Sequence, residues 1–265
     1  MPYDGIVFKN QLQHLRPGKL HNLREHVGFK LVELLRGRVA APAGAHELLF
    51  GDDWESDSLI YSLYADVLAG RLGPAQLTPI LTRIRVDPPL IEEAARLAAR
   101  VPQGDAVERI FINLERRTPP ATFRSFGARV VPTFNYFQTA AVLAAAGHLE
   151  ADDVVRVGRV LLERSGYTDR RLENSIADLV RRGHLDVVAA EALAGPLRVA
   201  GVLPPATPVG PRWRRALRAL GRLRPHRRTR ATAAAVEAAA LDYEAILGRL
   251  RPVGGNAAAS ASRRR

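Results

Sequence analysis

The sequence predicts an α/β fold in which strands and helices alternate over the first half of the chain and helices alone follow. Three observations carry this. The runs HELLFG, RIFINL and ARVVPTF are short, apolar and bounded by turn residues, which is how buried strands read. Between them, apolar residues recur three and four apart, the spacing of helices with one buried face. From Tyr136 onward the pattern is wholly helical, with glycines closing successive stretches. At 265 residues, 47% apolar and 25% charged, the chain can bury a sizeable core.

The elements follow in order. Residues 5–8 (GIVF) suit a short strand, and 22–36 a helix with Leu23, Val27, Leu31, Leu34 and Leu35 on one face. A Pro/Gly/Ala turn at 40–45 leads into the strand HELLFG, and Ser56 or Asp57 can cap the helix after it. In that helix Ile60, Leu63, Tyr64, Val67 and Leu68 form an apolar stripe. Helices are expected at 77–84 and 90–99, then strands at 109–114 and 128–134, the second interrupted by Pro132. Three amphipathic stretches, 136–146, 151–165 and 169–182, end at Gly147, Gly166 and Gly183. The organisation read from this is an α/β domain over 1–140, a helical extension over 141–203, a Pro/Arg-rich linker and basic segment over 204–230, and over 231–265 a terminal helix (231–250) with a disordered tail.

Composition removes several classes of function. There is no cysteine, so no disulfide, thiol catalysis or thiolate-bound metal. The start lacks a signal peptide's apolar core, and the uncharged run 130–149 carries Pro132, Asn135, Gln138 and His148, which suits strand plus helix and not a membrane span. A cytoplasmic protein is expected. No two of the seven histidines have zinc-helix spacing, and no phosphate-binding Gly-Lys loop, Ser elbow or dinucleotide fingerprint occurs.

One stretch carries chemistry. Gly51-Asp52-Asp53-Trp54-Glu55-Ser56-Asp57 places four acids within six residues where a strand ends and a helix begins. Open α/β sheets bind their ligands at the carboxyl ends of strands. Crowded carboxylates there call for a cation, and Mg²⁺ takes hard oxygens, usually one or two carboxylates with water and phosphate. Asp52, Asp53, Glu55 and Asp57 are the acids available to such an ion. An acidic turn with Asp57 as helix cap is the alternative.

The stretch LLFGDDWESDSLIY resembles the fourth motif of the haloacid dehalogenase (HAD) superfamily, in which a Gly-Asp and a second acid hold the catalytic Mg²⁺. Asp52 and Asp57 fit the longer spacing of that motif, and the pair Asp52–Asp53 fits another variant. The trailing Asp57, Ile60 and Tyr61 are similar to the actin-patch phosphatidate-phosphatase branch. The family also carries a lysine on the helix before the motif-four strand. Phe29-Lys30-Leu31 stands there, and Lys30 is one of only three lysines in an Arg-dominated chain, with Lys19 the fallback. The resemblance covers residues 5–140 and implies a partial, Rossmannoid three-layer HAD core. It further implies Mg²⁺, a phosphorylated substrate, and Lys30 as the catalytic cation that steadies phosphate charge.

The family's nucleophile is missing. HAD hydrolysis passes through an aspartyl-phosphate formed on Asp-x-Asp. No Asp-x-Asp occurs in the sequence, and no Ser or Thr precedes Ser56 to serve as the second motif. Two expectations follow. One is a phosphatase-type domain whose nucleophile lies upstream of this chain, inactive by itself. The other is a non-catalytic relative that binds or regulates.

The formal charge of +12 is unevenly spread. Residues 210–265 contain fourteen Arg against Glu237, Asp242 and Glu244, leaving the rest close to neutral. Within 211–230, nine Arg surround Trp213, Leu217, Leu220 and Leu223 at helical spacing, which suits an anionic membrane surface better than nucleic acid. The alternative is a solvated, Arg-rich linker. A peripheral tether outside the folded body is expected of everything beyond residue 209.

Overall fold

β-branched and aromatic residues bounded by turns build a three-stranded parallel sheet, β1 (Glu47–Asp52), β2 (Val107–Asn113) and β3 (Val130–Thr133), hydrogen-bonded in the order β1-β2-β3. The computed structural model describes residues 19–42, 44–54, 56–206 and 240–250, with side chains from His26 to Arg249. Alternation along the strands sends Leu49, Ile110, Ile112 and Val130 into one apolar core and Leu48, Phe111 and Val131 into another. The protein is therefore α/β, with helices on both faces of a small sheet.

The first face is covered by α1 (Lys19–Ala40), α2 (Asp57–Leu68), α3 (Pro74–Ile84) and α4 (Pro88–Ala98), with the 3-10 turn Pro120–Phe126 adding Phe123 and Phe126. The second face is covered by α5 (Tyr136–Ala145), α6 (Ala151–Arg164), α7 (Asp169–Arg182) and α8 (Val187–Val199). Gly147, Gly166 and Gly183 all take positive φ (85°, 64° and 79°), so they close α5, α6 and α7 as the sequence predicts. Pro132 lies inside β3 and not at a break, because β3 is an edge strand bonded only to β2. The expected strand at 5–8, the basic segment 211–230 and residues 251–265 lie outside the described residues.

Two expectations need correction. Residue 140, the expected domain boundary, lies inside α5, and the helices after it form the second cover of the sheet through Phe111 and Val131. An appendage would bury none of the sheet. The second concerns the C-terminal segment. Residues 240–242 are not helical, and the helix α9 (Tyr243–Leu250) is shorter than the 231–250 expected. It docks on the first face with Tyr243 and Ile246 in the core. The Tyr243 hydroxyl donates to Asp66 Oδ2 at 2.7 Å, and the Leu241 amide donates to the same oxygen at 3.1 Å. This part of the segment belongs to the body, since a buried carboxylate without those partners would be costly. Among the described residues no helix is long and apolar enough to cross a membrane.

Candidate functional site

β1 ends at Asp52, and five residues later α2 begins at Asp57. That connection puts a helix N-terminus, with its unpaired amides and positive dipole end, beside the carboxyl end of a strand. Ser56 is the N-cap residue but makes no side-chain capping bond. Asp57, in the first turn and 4% exposed, turns its carboxylate toward the strand and α1 instead of capping α2. Its Oδ1 receives Lys30 Nζ at 2.8 Å, and its Oδ2 receives the Asp52 amide at 3.2 Å.

Gly51 makes this approach possible. A Cβ at residue 51 would stand 2.4 Å from Asp57 Oδ2 and 2.6 Å from Asp57 Cβ. Any side chain on Gly51 would displace the carboxylate, so the Gly of the Gly-Asp pair is a matter of clearance. Lys30 reaches across from the middle of α1 with its side chain one-third exposed, while the Asp57 side chain is 6% exposed. Lys30 and Asp57, both singled out by the resemblance and 27 residues apart, are in contact in the fold.

The other two candidate ligands part company. Asp52 Oδ1 accepts the Trp54 amide at 2.8 Å, and Asp52 lines a cleft on the second face. Asp53 turns the opposite way and ties down the loop after β2. Its Oδ1 accepts from the Arg116 amide at 2.9 Å and its Oδ2 from the Thr118 amide at 3.0 Å. Burial alone would raise the Asp53 pKa, but these donors outweigh it and hold the carboxyl below its usual range. Glu55 lies outside the described residues. Tyr61, of the Ile-Tyr pair, donates its hydroxyl to the Phe50 carbonyl at 3.0 Å, and Ile60 is core.

Among the described residues no group of three or more His, Cys, Asp or Glu side chains is gathered to hold a metal ion. Asp52 and Asp57 nonetheless supply two hard carboxylates at one strand end, and each hydrogen-bonded oxygen keeps a further lone pair. Two carboxylates with water and phosphate completing the shell is an ordinary Mg²⁺ environment. Asp53 offers less, with both oxygens committed to backbone amides.

Sequence reasoning missed the cleft beside Asp52, of about 220 Å³, bounded by Phe50, Phe111, Asn113, Glu115 and Tyr136. Its walls come from β1, β2, the loop after β2 and α5, so no local pattern announces it. Exposed aromatic side chains at Phe50 and Tyr136 are its outward sign. The chain matches no family model, no curated protein and no solved structure.

Proposed function

We propose that the chain carries the metal- and phosphate-holding part of a HAD-like phosphatase site, in which Asp52 and Asp57 hold Mg²⁺ and Lys30 steadies phosphate charge. The observation that carries this is the Lys30–Asp57 contact of 2.8 Å at the carboxyl end of β1. The clearance at Gly51, the parallel sheet and the helices on both of its faces support a HAD-like core. Bound there, Mg²⁺ would draw charge from phosphoryl oxygens. On this reading the Lys30 ammonium, held by Asp57, offsets phosphate charge beside the metal. The Asp52 amide and Lys30 together fix the orientation of Asp57.

No Asp-x-Asp nucleophile occurs in the sequence, so the residues present hold a phosphate group and do not cleave it. Calorimetry tests the reading. The protein should bind Mg²⁺ weakly, and the Asp52→Asn, Asp57→Asn double variant should lose the binding. Equal Mg²⁺ affinity in the double variant would remove the site. The protein should not hydrolyse p-nitrophenyl phosphate; sustained turnover abolished by Lys30→Met would reveal a nucleophile elsewhere in the chain.

The missing nucleophile also favours a second reading, a non-catalytic HAD-derived binding or regulatory protein whose basic segment 211–230 meets an anionic membrane. Because α9 is part of the body, deletion from residue 210 is a poor test. Replacing the nine Arg of 211–230 by Gln should instead abolish co-sedimentation with phosphatidylserine vesicles and leave the thermal transition unchanged. Undiminished sedimentation would end this reading.

A further inference from the structure

The cleft on the second face of the sheet has a chemistry of its own. Its apolar part is a pair of parallel aromatic rings, Phe50 and Phe111, with centroids 5.3 Å apart and planes 14° apart. Phe111 is buried while Phe50 is 54% exposed, so one ring anchors the pair in the core and the other stands open at the cleft. Tyr136, the first residue of α5 and 63% exposed, stands across from them. Monomeric proteins rarely leave large aromatic side chains uncovered around a concavity without a use for them.

The polar lining is one-sided in charge. Among the described residues, Asp52 and Glu115 are its only ionisable groups besides the Tyr136 phenol, and no Lys, Arg or His lines the cleft. Among the described residues neither carboxylate makes an ion pair. Glu115 is held by neutral donors only, its Oε1 by the Asn113 amide group at 3.2 Å and its Oε2 by the Trp54 indole at 3.1 Å. Those bonds fix the carboxylate and leave its charge uncompensated. Arg116, the next residue along, lies over the Trp54 ring, 4.9 Å from its centroid.

We propose that this cleft binds an organic cation, an alkyl- or arylammonium group, against Phe50 and Tyr136 with Glu115 as its counter-charge. Ring faces attract cations through their quadrupole, and a fixed carboxylate adds a full charge. The same lining repels anions, so the cleft is not a second phosphate pocket. The volume of about 220 Å³ suits a small head group. This inference does not rest on the phosphatase reading, since it needs neither Mg²⁺ nor phosphate.

The test uses the full chain in metal-free, phosphate-free buffer, titrated by calorimetry with benzyltrimethylammonium, benzyl alcohol and benzoate. The ammonium should bind at least tenfold more tightly than the alcohol, and benzoate should give no saturable heat. Glu115→Gln and Tyr136→Ala, both at exposed or half-exposed positions, should each weaken ammonium binding about tenfold while the circular-dichroism melt stays near the parent's. Binding of benzoate or of the alcohol as tight as the ammonium would overturn the charge argument. Absence of ammonium binding, or parental binding in both variants, would overturn the site. Mg²⁺ binding to Asp57 and Lys30 variants is read separately, so either proposal can fail alone.

Discussion

The two helical layers hold one sheet by different means. The first-face layer buries charge. Lys30 meets Asp57, Arg38 and the Tyr64 hydroxyl both bond Glu47, and Asp66 gathers Arg71, Tyr243 and the Leu241 amide. Burial, with the Glu47 carboxylate beside it, pushes the Tyr64 phenol far above its usual value, so it stays a neutral donor. The second-face layer buries mostly amides and hydroxyls: Asn135 caps α5 by accepting the Gln138 amide, Gln138 Nε2 donates to the Ser175 carbonyl, and Thr133 bonds Thr139. Ion pairs stand beside that network as well, Arg182 with Asp178 and Arg198 with the buried Glu173. The neutral network joins the start of α5 to α7 through Gln138 and Ser175, whereas the carboxylates of the first layer tie α1 to the start of α2 and the C-terminal segment to α2. Buried carboxylates are thus the anchors of the first layer, and the candidate site lies in that layer.

The sharpest way to break this contrast is to remove the carboxylate that secures α9. Asp66→Ala takes one carboxylate from Arg71, whose side chain is 6% exposed and which also meets Asp105 at 3.6 Å, and removes the bonds from Tyr243 and the Leu241 amide to Asp66. Removing one partner of a buried ion pair costs about 3–5 kcal/mol. Urea unfolding should show a loss of that size, and hydrogen exchange should show the amides of 240–250 deprotected first. A loss under about 1 kcal/mol would mean that the buried charges do not secure this layer.

A smaller effect is expected at Gly51. A methyl group there meets the Asp57 carboxylate at 2.4 Å, so Gly51→Ala must push Asp57 away from Lys30. Overpacking of this kind costs roughly 1–3 kcal/mol, and the upper half of that range is expected because a fixed ion pair is displaced as well. Gly158→Ala in the second layer is the matched control. Its added methyl group meets the buried Val202 Cγ1 at 2.4 Å, an apolar clash that displaces no ion pair. If the Gly158 variant is the less stable of the two in thermal melts, the clearance argument for Gly51 fails.

On the neutral side, Gln138→Ala removes the acceptor of the Phe134 amide at 2.7 Å and the donor to Ser175 and Asp178. The cost expected is about 1–2 kcal/mol, toward the lower part of the range for unsatisfied buried groups, since water can reach the partly exposed end of this network. Urea midpoints at low and high salt should show the same loss. A strongly salt-dependent loss would mean the network leans on Asp178 and Arg182 more than on its amides.

What could be read in advance follows the same division. The limits of α5, α6 and α7 were legible within a residue because Asn135, Thr168 and three left-handed glycines mark them locally. The strands were legible because apolar runs between turns have few other uses. Lys30 and Asp57 were legible by resemblance, yet no periodicity says that a helix lysine meets an acid 27 residues on. The Tyr243–Asp66 bond spans 177 residues, and Tyr243 reads as an ordinary amphipathic position, so α9 passed for part of a tail. Asp53 looked like a metal ligand because three neighbouring acids look alike in one dimension. Only the path of the loop after β2 shows that its oxygens face the Arg116 and Thr118 amides.

The smallest expected effect tests how far ionic pinning extends to the surface of the first layer. Glu93 on α4 accepts Arg36 of α1 at 3.0 Å and holds Arg96 through both oxygens, at 2.7 and 2.8 Å. The Arg96 hydrogen bonds, then those from Arg36, bring its carboxyl from the ordinary 4.5 down to about 2. A carboxyl with a lowered folded pKa binds protons more readily when the chain is unfolded. Its stabilisation is therefore complete above about pH 4.5 and is lost as the pH falls toward about 2. Glu93→Gln should lower the urea midpoint slightly at neutral pH, and the gap between parent and variant should close on acidification through that window. The groups are exposed to solvent, so 1 M NaCl should narrow the gap at every pH, with a screening length of about 3 Å. A gap that widens in acid or ignores salt would show that Glu93 acts by packing and that ionic pinning is confined to the interior of the first layer.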